Sequence, residues 1–134
     1  MELKVTDSSG HMRLQNVGAV AIKDSSGGIE LTGAGGAVTI DDSSGDIEIE
    51  DVDGDVTLND SSGGIYGIDI DGSVLVERDS SGNIRFEDVS GDVIVERDSS
   101  GNIKVTDVGG DFRVLKDGSG SITSNNVKGE VETP

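Results

Sequence analysis

An aspartate recurs along the chain at nearly constant spacing, each time opening a short segment of serine and glycine. The segment reads DSSG in six copies and DGSG in a seventh, and its first residues are Asp7, Asp24, Asp42, Asp60, Asp79, Asp98 and Asp117. If the copies stack as neighbouring strands do, their carboxylates lie about 4.8 Å apart. Each neighbouring pair then repels by roughly 1 kcal/mol in water and about 3.5 kcal/mol at an effective dielectric constant of 20. The aspartate column therefore needs a compensating interaction.

One compensating interaction is the turn itself. An aspartate side chain accepts hydrogen bonds from backbone N–H groups two and three residues later, which here belong to the second serine and the glycine. Glycine also adopts the left-handed or closely packed backbone that a sharp corner needs. The sequence favours this interpretation, in which the seven aspartates are structural turn residues together with the glycines Gly10, Gly27, Gly45, Gly63, Gly82, Gly101 and Gly120.

The other compensating interaction is a bound cation, because Ca²⁺ is coordinated by aspartate, carbonyl and water oxygens at turns. Two further columns support it: Asn16, Gly33, Asp51, Asp69, Asp88, Asp107 and Asn126 six residues after each DSSG glycine, and Asp55, Asp92, Asp111 and Glu130 four residues further on. The calcium candidates are Asp42, Asp60, Asp79, Asp98, Asp51, Asp69 and Asp88, although the glycine and aspartate offsets differ from those of the calcium-binding nonapeptide β-roll. We expect no other cofactor.

Residues for enzyme chemistry are sparse or evenly repeated. His11 is the only histidine, and the many serines belong to turns, so no Ser-His-Asp arrangement is predicted. Carboxylate pairs are abundant but follow the repeat, whereas an active site is a local departure from it. We therefore predict no enzymatic activity. The basic residues beside the DSSG segments are expected to screen the carboxylates; they are Lys23, Arg78, Arg97 and Lys116.

Two short apolar segments in each repeat must position the aspartates. Counted from the DSSG glycine, valine, isoleucine and leucine recur after two, four, seven, eleven and thirteen residues, as in NIRFED and DVIVER. Alternation with a period of two is typical of strands that bury one face. Because two strands cannot bury such a face alone, successive repeats are expected to stack into one continuous core.

The predicted fold is an all-β, single-stranded β-solenoid, similar to a parallel β-helix, with two short strands per 18–19-residue turn and about seven repeats. It occupies residues 1–134 as one domain. A meander of hairpins is the rival fold, but it would not require apolar columns in register in every repeat. The late repeats gain one residue just before DSSG, where a solenoid tolerates insertions.

One segment, GIYGIDIDG at residues 64–72, departs from the repeat. Gly67 replaces an apolar core residue there, and Tyr66 and Ile68 are expected to face outward. Leu75 and Ile94 also occupy outward positions, on adjacent repeats. Together with Ile68 they are expected to form a small exposed apolar patch, which is a candidate partner site.

The composition limits the partners. Among 134 residues, 10 lysines and arginines oppose 27 acidic residues, and the net charge of −17 argues against nucleic acid and anionic membranes. The absence of cysteine excludes disulfides and thiolate metal sites. No segment is long and apolar enough for membrane insertion, and the N-terminal sequence predicts no signal peptide. Because the chain begins within a repeat, we expect it to be a fragment of a longer protein.

The repeat DSSGNIRFEDVSGDVIVER, at residues 79–97, resembles the bacterial adhesin-repeat family, a domain of unknown function. Members carry serial S-S-G-[DN]-[IV] and V-x-G-D-V segments. The likeness extends from Val5 to Val131 and is clearest between Asp79 and Val114. It implies a β-solenoid in the periplasm or at the cell surface of bacteria, and it supplies no catalytic residues.

Taken together, these features predict a non-enzymatic structural and interaction module, an adhesin or an envelope-associated scaffold. Its aspartate ladder would present an acidic face to an unknown protein or surface partner. Two alternatives stay open: a calcium-binding, β-roll-like solenoid, and a self-assembling β-rod. The second follows from the segments MELKV and VKGEVETP, which continue the repeat without an obvious cap, so that open strand edges invite stacking into a homo-oligomer.

Overall fold

The structure is a computed structural model that describes residues 2–7 and 10–134, with the backbone alone for Glu2 and Asp7. The odd-numbered strands are β1 (Glu2–Asp7), β3 (Ala19–Asp24), β5 (Val38–Asp42), β7 (Val56–Asp60), β9 (Val74–Asp79), β11 (Val93–Val95), β13 (Phe112–Val114) and β15 (Val131–Glu132). The even-numbered strands are β2 (Met12–Val17), β4 (Ile29–Ala34), β6 (Ile47–Val52), β8 (Ile65–Ile70), β10 (Ile84–Val89), β12 (Ile103–Val108) and β14 (Ile122–Val127). No helix in the described part of the chain has the length and apolar character needed to cross a membrane.

The odd and even strands form two separate parallel sheets. The odd sheet has the order β1-β3-β5-β7-β9-β11-β13-β15, and the even sheet runs from β2 to β14 in the same manner. Each strand thus pairs with the strands two positions away in the chain and not with its sequence neighbour, as a solenoid requires and a meander does not. The predicted all-β solenoid is confirmed, with about 7 turns of about 18 residues and two short strands in each turn. We call one turn a rung.

Apolar side chains from the two sheets form a single core. In β5 and β6, for example, Val38, Ile40, Ile47 and Ile49 are all buried, and the residues between them face outward. The buried cluster extends from Met12 to Val114, and because the core columns are in register, each buried residue rests on its counterpart in the next rung. Full burial of such a side chain contributes roughly 1.5–3 kcal/mol.

A residue with left-handed backbone interrupts the alternation in each even strand. Its φ lies between 53° and 57° at Asn16, Asp51, Asp69, Asp88, Asp107 and Asn126, and is 80° at Gly33. Asparagine, aspartate and glycine occupy this region more readily than other residues. In β10 the two residues before the end of the strand, Glu87 and Asp88, are consequently not core residues, and Val89 returns to the core. The left-handed backbone thus explains why the second acidic column contains only asparagine, aspartate and glycine.

The extra residue of the late repeats lies where the sequence predicts it. The pairing between β7 and β9 shifts by one residue after Leu58, so Val76 faces Leu58 and Arg78 faces Asn59. Glu77 is the inserted residue and is exposed. The register is recovered at Asp79, which again pairs with Asp60.

The departure at Gly67 is explained by packing. Gly67 in β8 pairs with Phe86 in β10. A Cβ atom at Gly67 would lie 2.6 Å from Cδ1 and 2.7 Å from Cε1 of Phe86. The phenyl ring, which is fully buried, therefore fills the space that an apolar side chain fills in most other rungs. The small residue of one rung and the large residue of the next are complementary.

Gly67→Ala is expected to destabilise the protein by about 1–3 kcal/mol, because the added methyl group overpacks the core against Phe86. Urea denaturation followed by circular dichroism measures the loss. In the matched variant Gly67→Val with Phe86→Val, the two positions take on the valine found at Val105, and we expect much of the stability to return. Equal losses in the single and double variants would contradict the complementarity of this pair.

Candidate functional site

The DSSG aspartates form one column in the odd sheet. Successive members are backbone pairing partners from Asp7 through Asp24, Asp42 and Asp60 to Asp79, and isolated parallel bridges extend the column to Asp98 and Asp117. Backbone register alone thus sets the carboxyl groups one above the other, at the strand spacing of about 4.8 Å.

The side chains of this column point into the protein. We call Asp24, Asp42, Asp60, Asp79 and Asp98 the inward aspartate column; their side chains are only 0–2% exposed. In β5 the reason is the alternation, since Val38, Ile40 and Asp42 are successive buried positions. The expectation that this ladder presents an acidic face is therefore wrong: these carboxylates close the edge of the core. The side chain of Asp7 lies outside the described residues.

Hydrogen bonds satisfy the column only in part. The N–H of the second serine donates to Oδ1 of the aspartate, at 3.3 Å from Ser26 to Asp24, at 3.2 Å from Ser44 to Asp42 and at 3.2 Å from Ser62 to Asp60. These are the bonds that the turn interpretation expects from the second serine. The glycine N–H groups make no such bond in residues 10–134. Oδ2 of Asp24, Asp42 and Asp60 and Oδ1 of Asp117 are buried without a hydrogen-bond partner. The oxygens of Asp79 and Asp98 make no hydrogen bond of regular geometry, although the N–H of Ser81 lowers the pKa of Asp79 and those of Ser99 and Ser100 lower the pKa of Asp98.

Burial raises the pKa of four carboxyl groups of this column. It is the largest cause at each of the four, and it raises the pKa of Asp42 to about 6, of Asp60 to about 8, of Asp79 to about 7 and of Asp98 to about 6. Neighbouring aspartates add to the effect. Asp60 has the highest value, with Asp79 and Asp42 acting on it from both adjacent rungs.

The basic residues near the corner do not screen the column, contrary to expectation. Lys23, Arg78, Arg97 and Lys116 are exposed. Lys23 and Arg78 occupy outward positions of β3 and β9, whose last residues, Asp24 and Asp79, point inward. In the described part of the chain the ion pairs are Arg13–Glu30 at 3.2 Å, Arg85–Glu87 at 2.8 Å, Arg113–Asp111 at 3.9 Å and Arg113–Glu132 at 3.4 Å. None of them includes a DSSG aspartate.

Glycine is required at the DSSG corner for two reasons. The φ angles of the seven corner glycines lie between 97° and 119°, a region that favours glycine. The corners of successive rungs are also in close contact, so that a Cβ atom at Gly63 would overlap the carbonyl oxygen of Gly45. Serine hydroxyls link the same corners, as where Ser62 Oγ donates to the Ser43 carbonyl at 3.3 Å.

The opposite corner carries the exposed acidic groups. We call the carboxylates that line a shallow groove there, Asp51, Asp53, Asp69, Asp71 and Asp88, the acidic corner; all are exposed. The pKa of Asp88 is raised by partial desolvation and then by Asp107 and Asp69 on the adjacent rungs. The column of left-handed residues that contains Asp51, Asp69 and Asp88 also has three uncharged positions, at Asn16, Gly33 and Asn126.

The structure does not bring the calcium candidates together. Asp42, Asp60 and Asp79 end strands of the odd sheet, Asp98 continues their column through isolated bridges, and all four point inward. Asp51, Asp69 and Asp88, in contrast, lie in the even sheet and point outward. Among the described residues no three acidic or histidine side chains converge as a metal site requires. The calcium alternative thus lacks the joint ligand set that two neighbouring acidic columns would have provided.

The third acidic column has a role that the sequence analysis missed. An aspartate or asparagine directly before a strand accepts the N–H of the equivalent residue in the next rung. The donor–acceptor pairs are Ser73–Asp55 (3.0 Å), Asp111–Asp92 (2.8 Å), Glu130–Asp111 (2.9 Å), Gly64–Asp46 (2.8 Å), Asn102–Asn83 (3.0 Å) and Ser121–Asn102 (2.9 Å). In the sequence, the recurrence of Asp or Asn directly before the first core residue of a strand indicates these hydrogen bonds. These bonds extend the hydrogen-bond ladder beyond the strand ends.

The outward apolar residues do not form one patch. Leu75 and Ile94 are paired on the odd sheet, whereas Ile68 lies on the even sheet. The outer faces of the two sheets are on opposite sides of the core, so the expected three-residue patch is wrong. Beside Ile68 the hydroxyl of Tyr66 donates to Glu87 at 3.2 Å, and the guanidinium of Arg85 lies 5.6 Å from the tyrosine ring centroid. His11 is exposed.

Comparisons with protein-family models, with curated proteins and with solved structures each found no match. The resemblance to the adhesin-repeat family therefore stays a prediction that rests on the repeat residues.

The left-handed backbone at Asp88 yields a substitution test. Asp88→Val is expected to cost roughly 1–2 kcal/mol, since a β-branched residue is strained at this φ. Asp88→Asn is the matched control and should have almost no effect, because asparagine already occupies this column at Asn16 and Asn126. Urea denaturation compares the two variants. If valine were tolerated as well as asparagine, the backbone explanation of this column would be wrong.

The separation of the two acidic columns leads to an expectation for calcium. Thermal melts in EDTA, in millimolar CaCl₂ and in MgCl₂ at matched ionic strength should show equal effects of the two cations, since no convergent ligand set distinguishes Ca²⁺. Circular dichroism monitors the melts. A rise of many degrees with Ca²⁺ alone would restore the calcium-binding alternative.

Proposed function

We propose that the protein is a non-enzymatic structural and interaction module, a stiff β-rod that presents rows of side chains at fixed spacing to a partner. The observation that carries this proposal is the continuous register of both sheets. Because every rung repeats the same positions, outward side chains form straight rows with a spacing of about 4.8 Å. Seven rungs extend over roughly 30 Å.

Stiffness follows from the bonds between rungs. In addition to the strand ladders, side chains bridge successive rungs at both corners, as in Gly64–Asp46 and Ser73–Asp55. Backbone bonds reciprocate them, since Ile47 N–H donates to the Gly64 carbonyl at 2.8 Å. A scaffold built in this way holds its surface groups at constant separation. The alternative of a self-assembling rod stays a prediction.

The acidic corner is the surface that we assign to the partner. Its carboxylates are exposed on consecutive rungs, whereas the inward aspartate column is hidden in the core. A row of negative charges on a protein with a net charge of −17 attracts a cationic partner over several ångströms and repels an anionic one. The partner we propose is therefore a basic protein segment or a cationic surface.

The place of action is proposed from the repeat residues alone. The likeness of residues 79–97 to the adhesin-repeat family supports a role at the bacterial envelope, outside the cytoplasm, as an adhesin or scaffold. A regular rod with an acidic row suits either role, since both need a surface that holds its shape.

Binding to immobilised polylysine tests the acidic corner. The triple variant Asp51→Asn, Asp69→Asn and Asp88→Asn keeps residues that tolerate the left-handed backbone, and we expect it to bind about tenfold more weakly at low salt. The control removes the same charge from exposed sites elsewhere, through Glu48→Gln, Glu77→Gln and Glu96→Gln. It should bind nearly as wild type does. Equal losses in the two triple variants would show that net charge alone acts, and would overturn the assignment of this corner.

A further inference from the structure

The inward aspartate column is not explained by the turn or by the proposed rod function. Its side chains are the buried charged groups of residues 10–134, at 0–2% exposure. A turn needs one carboxyl oxygen, and the second serine uses Oδ1 of Asp42 and Asp60 in this way. Oδ2 of these residues is buried without a partner, and neither oxygen of Asp79 makes a hydrogen bond of regular geometry, although the Ser81 N–H lowers the pKa of Asp79.

Ionised carboxylates are disfavoured in such a position. A buried charge without a partner normally becomes neutral by binding or releasing a proton. Here each carboxyl group also has identical neighbours above and below it. The charged groups that act on the column are all aspartates: Asp24 and Asp41 on Asp42, then Asp79, Asp42 and Asp46 on Asp60, Asp98 on Asp79, and Asp117 on Asp98. In the described chain no lysine or arginine forms an ion pair with them.

We propose that the inward aspartate column is a proton-binding site, which at neutral pH holds protons in hydrogen bonds shared between carboxyl groups of successive rungs. A protonated Oδ2 donates to a carboxyl oxygen of the next aspartate, which pairs with it in the backbone register. In Asp24, Asp42 and Asp60 the unprotonated Oδ1 continues to accept the serine N–H. The proton comes from water and returns to it, and only an O–H bond forms or breaks.

The sign of the pH dependence follows from the folded and unfolded states. An aspartate in an unfolded chain has a pKa of about 3.9, whereas burial raises the pKa of Asp60 to about 8 and of Asp79 to about 7. The folded state therefore binds protons more tightly, so stability rises as pH falls through these values. The gain is complete only below the unfolded pKa of about 3.9. It declines progressively as pH rises above that value and is gone once pH passes the folded pKa values, which run from about 6 to about 8. Mild acid should therefore stabilise the folded protein, whereas acid usually destabilises proteins.

The wild-type protein provides the first test. Aspartate carboxyl groups labelled with ¹³C are titrated by NMR, and we expect at least two resonances to titrate above about pH 6, far from ordinary aspartate. The thermal midpoint should be higher at about pH 5.5 than at about pH 8.5 by roughly 5–15 °C at constant ionic strength. A His11→Asn background removes the only histidine, the residue type that normally changes charge in this range.

A substitution in the middle of the column provides the second test. Asp60→Asn keeps the size and the Oδ1 acceptor for Ser62 but removes the charge. We expect this variant to melt higher than wild type at about pH 8.5 and to show a smaller pH dependence. Glu48→Gln, which removes an exposed charge, is the matched control and should leave the pH dependence unchanged. If Asp60→Asn fails to fold, the wild-type carboxyl titration decides.

Two results would overturn the proposal. The first is that all aspartates titrate below about pH 5, with equal thermal midpoints at the two pH values. The second is a rise of the midpoint at about pH 8.5 with NaCl or CaCl₂ that Asp60→Asn abolishes and Glu48→Gln does not; this would assign the column to a metal cation. Both tests concern the interior and are independent of polylysine binding at the acidic corner.

Discussion

Every residue of this protein must tolerate a near copy of itself about 4.8 Å away along the rod. Parallel stacking in register imposes this condition, and each column meets it in a different way. Apolar columns gain from it, since valine on valine excludes water. The corner glycines tolerate this spacing because they have no side chain; a Cβ atom there would overlap the carbonyl group of the preceding rung. Polar columns meet it when an oxygen such as Asp55 Oδ1 accepts an N–H from the next rung.

Carboxylates respond to the same condition in two environments. At the acidic corner water surrounds the groups and weakens their repulsion, so a row of exposed aspartates is tolerated. In the inward aspartate column water is excluded, and the same spacing makes full ionisation unfavourable. One repeat therefore produces two acidic rows in different environments, one exposed to water and one buried and driven towards neutrality. The net charge of −17 counted from the sequence treats the two rows as equal.

The repeat was sufficient to predict the solenoid, because the apolar columns can be buried together only if the rungs stack. The inward direction of the aspartate side chains was also predictable from the sequence. Val38, Ile40 and Asp42 alternate on one face, but the inserted residue at Glu77 obscures this alternation in the later repeats. Likewise, asparagine, aspartate and glycine alternate at one position of the repeat, and this pattern indicates a left-handed backbone. The aspartates of that column alone suggest a cation site. The apolar patch failed because Ile68 and Leu75 belong to different sheets, and hydropathy does not show which outward residues share a side.

The pairing of Gly67 with Phe86 has a consequence for how the chain finds its fold. Near-identical repeats can stack in the wrong order, with one turn skipped or two exchanged. This is possible because most columns have similar side chains in every rung. The Phe86 ring fits only against Gly67, which has no side chain, so this level of the core differs from the others. If the chain slipped by one turn, Phe86 would meet a filled position and Gly67 would leave a void. This pair thus distinguishes the middle rungs from the others and disfavours folds in which the rungs stack in the wrong register.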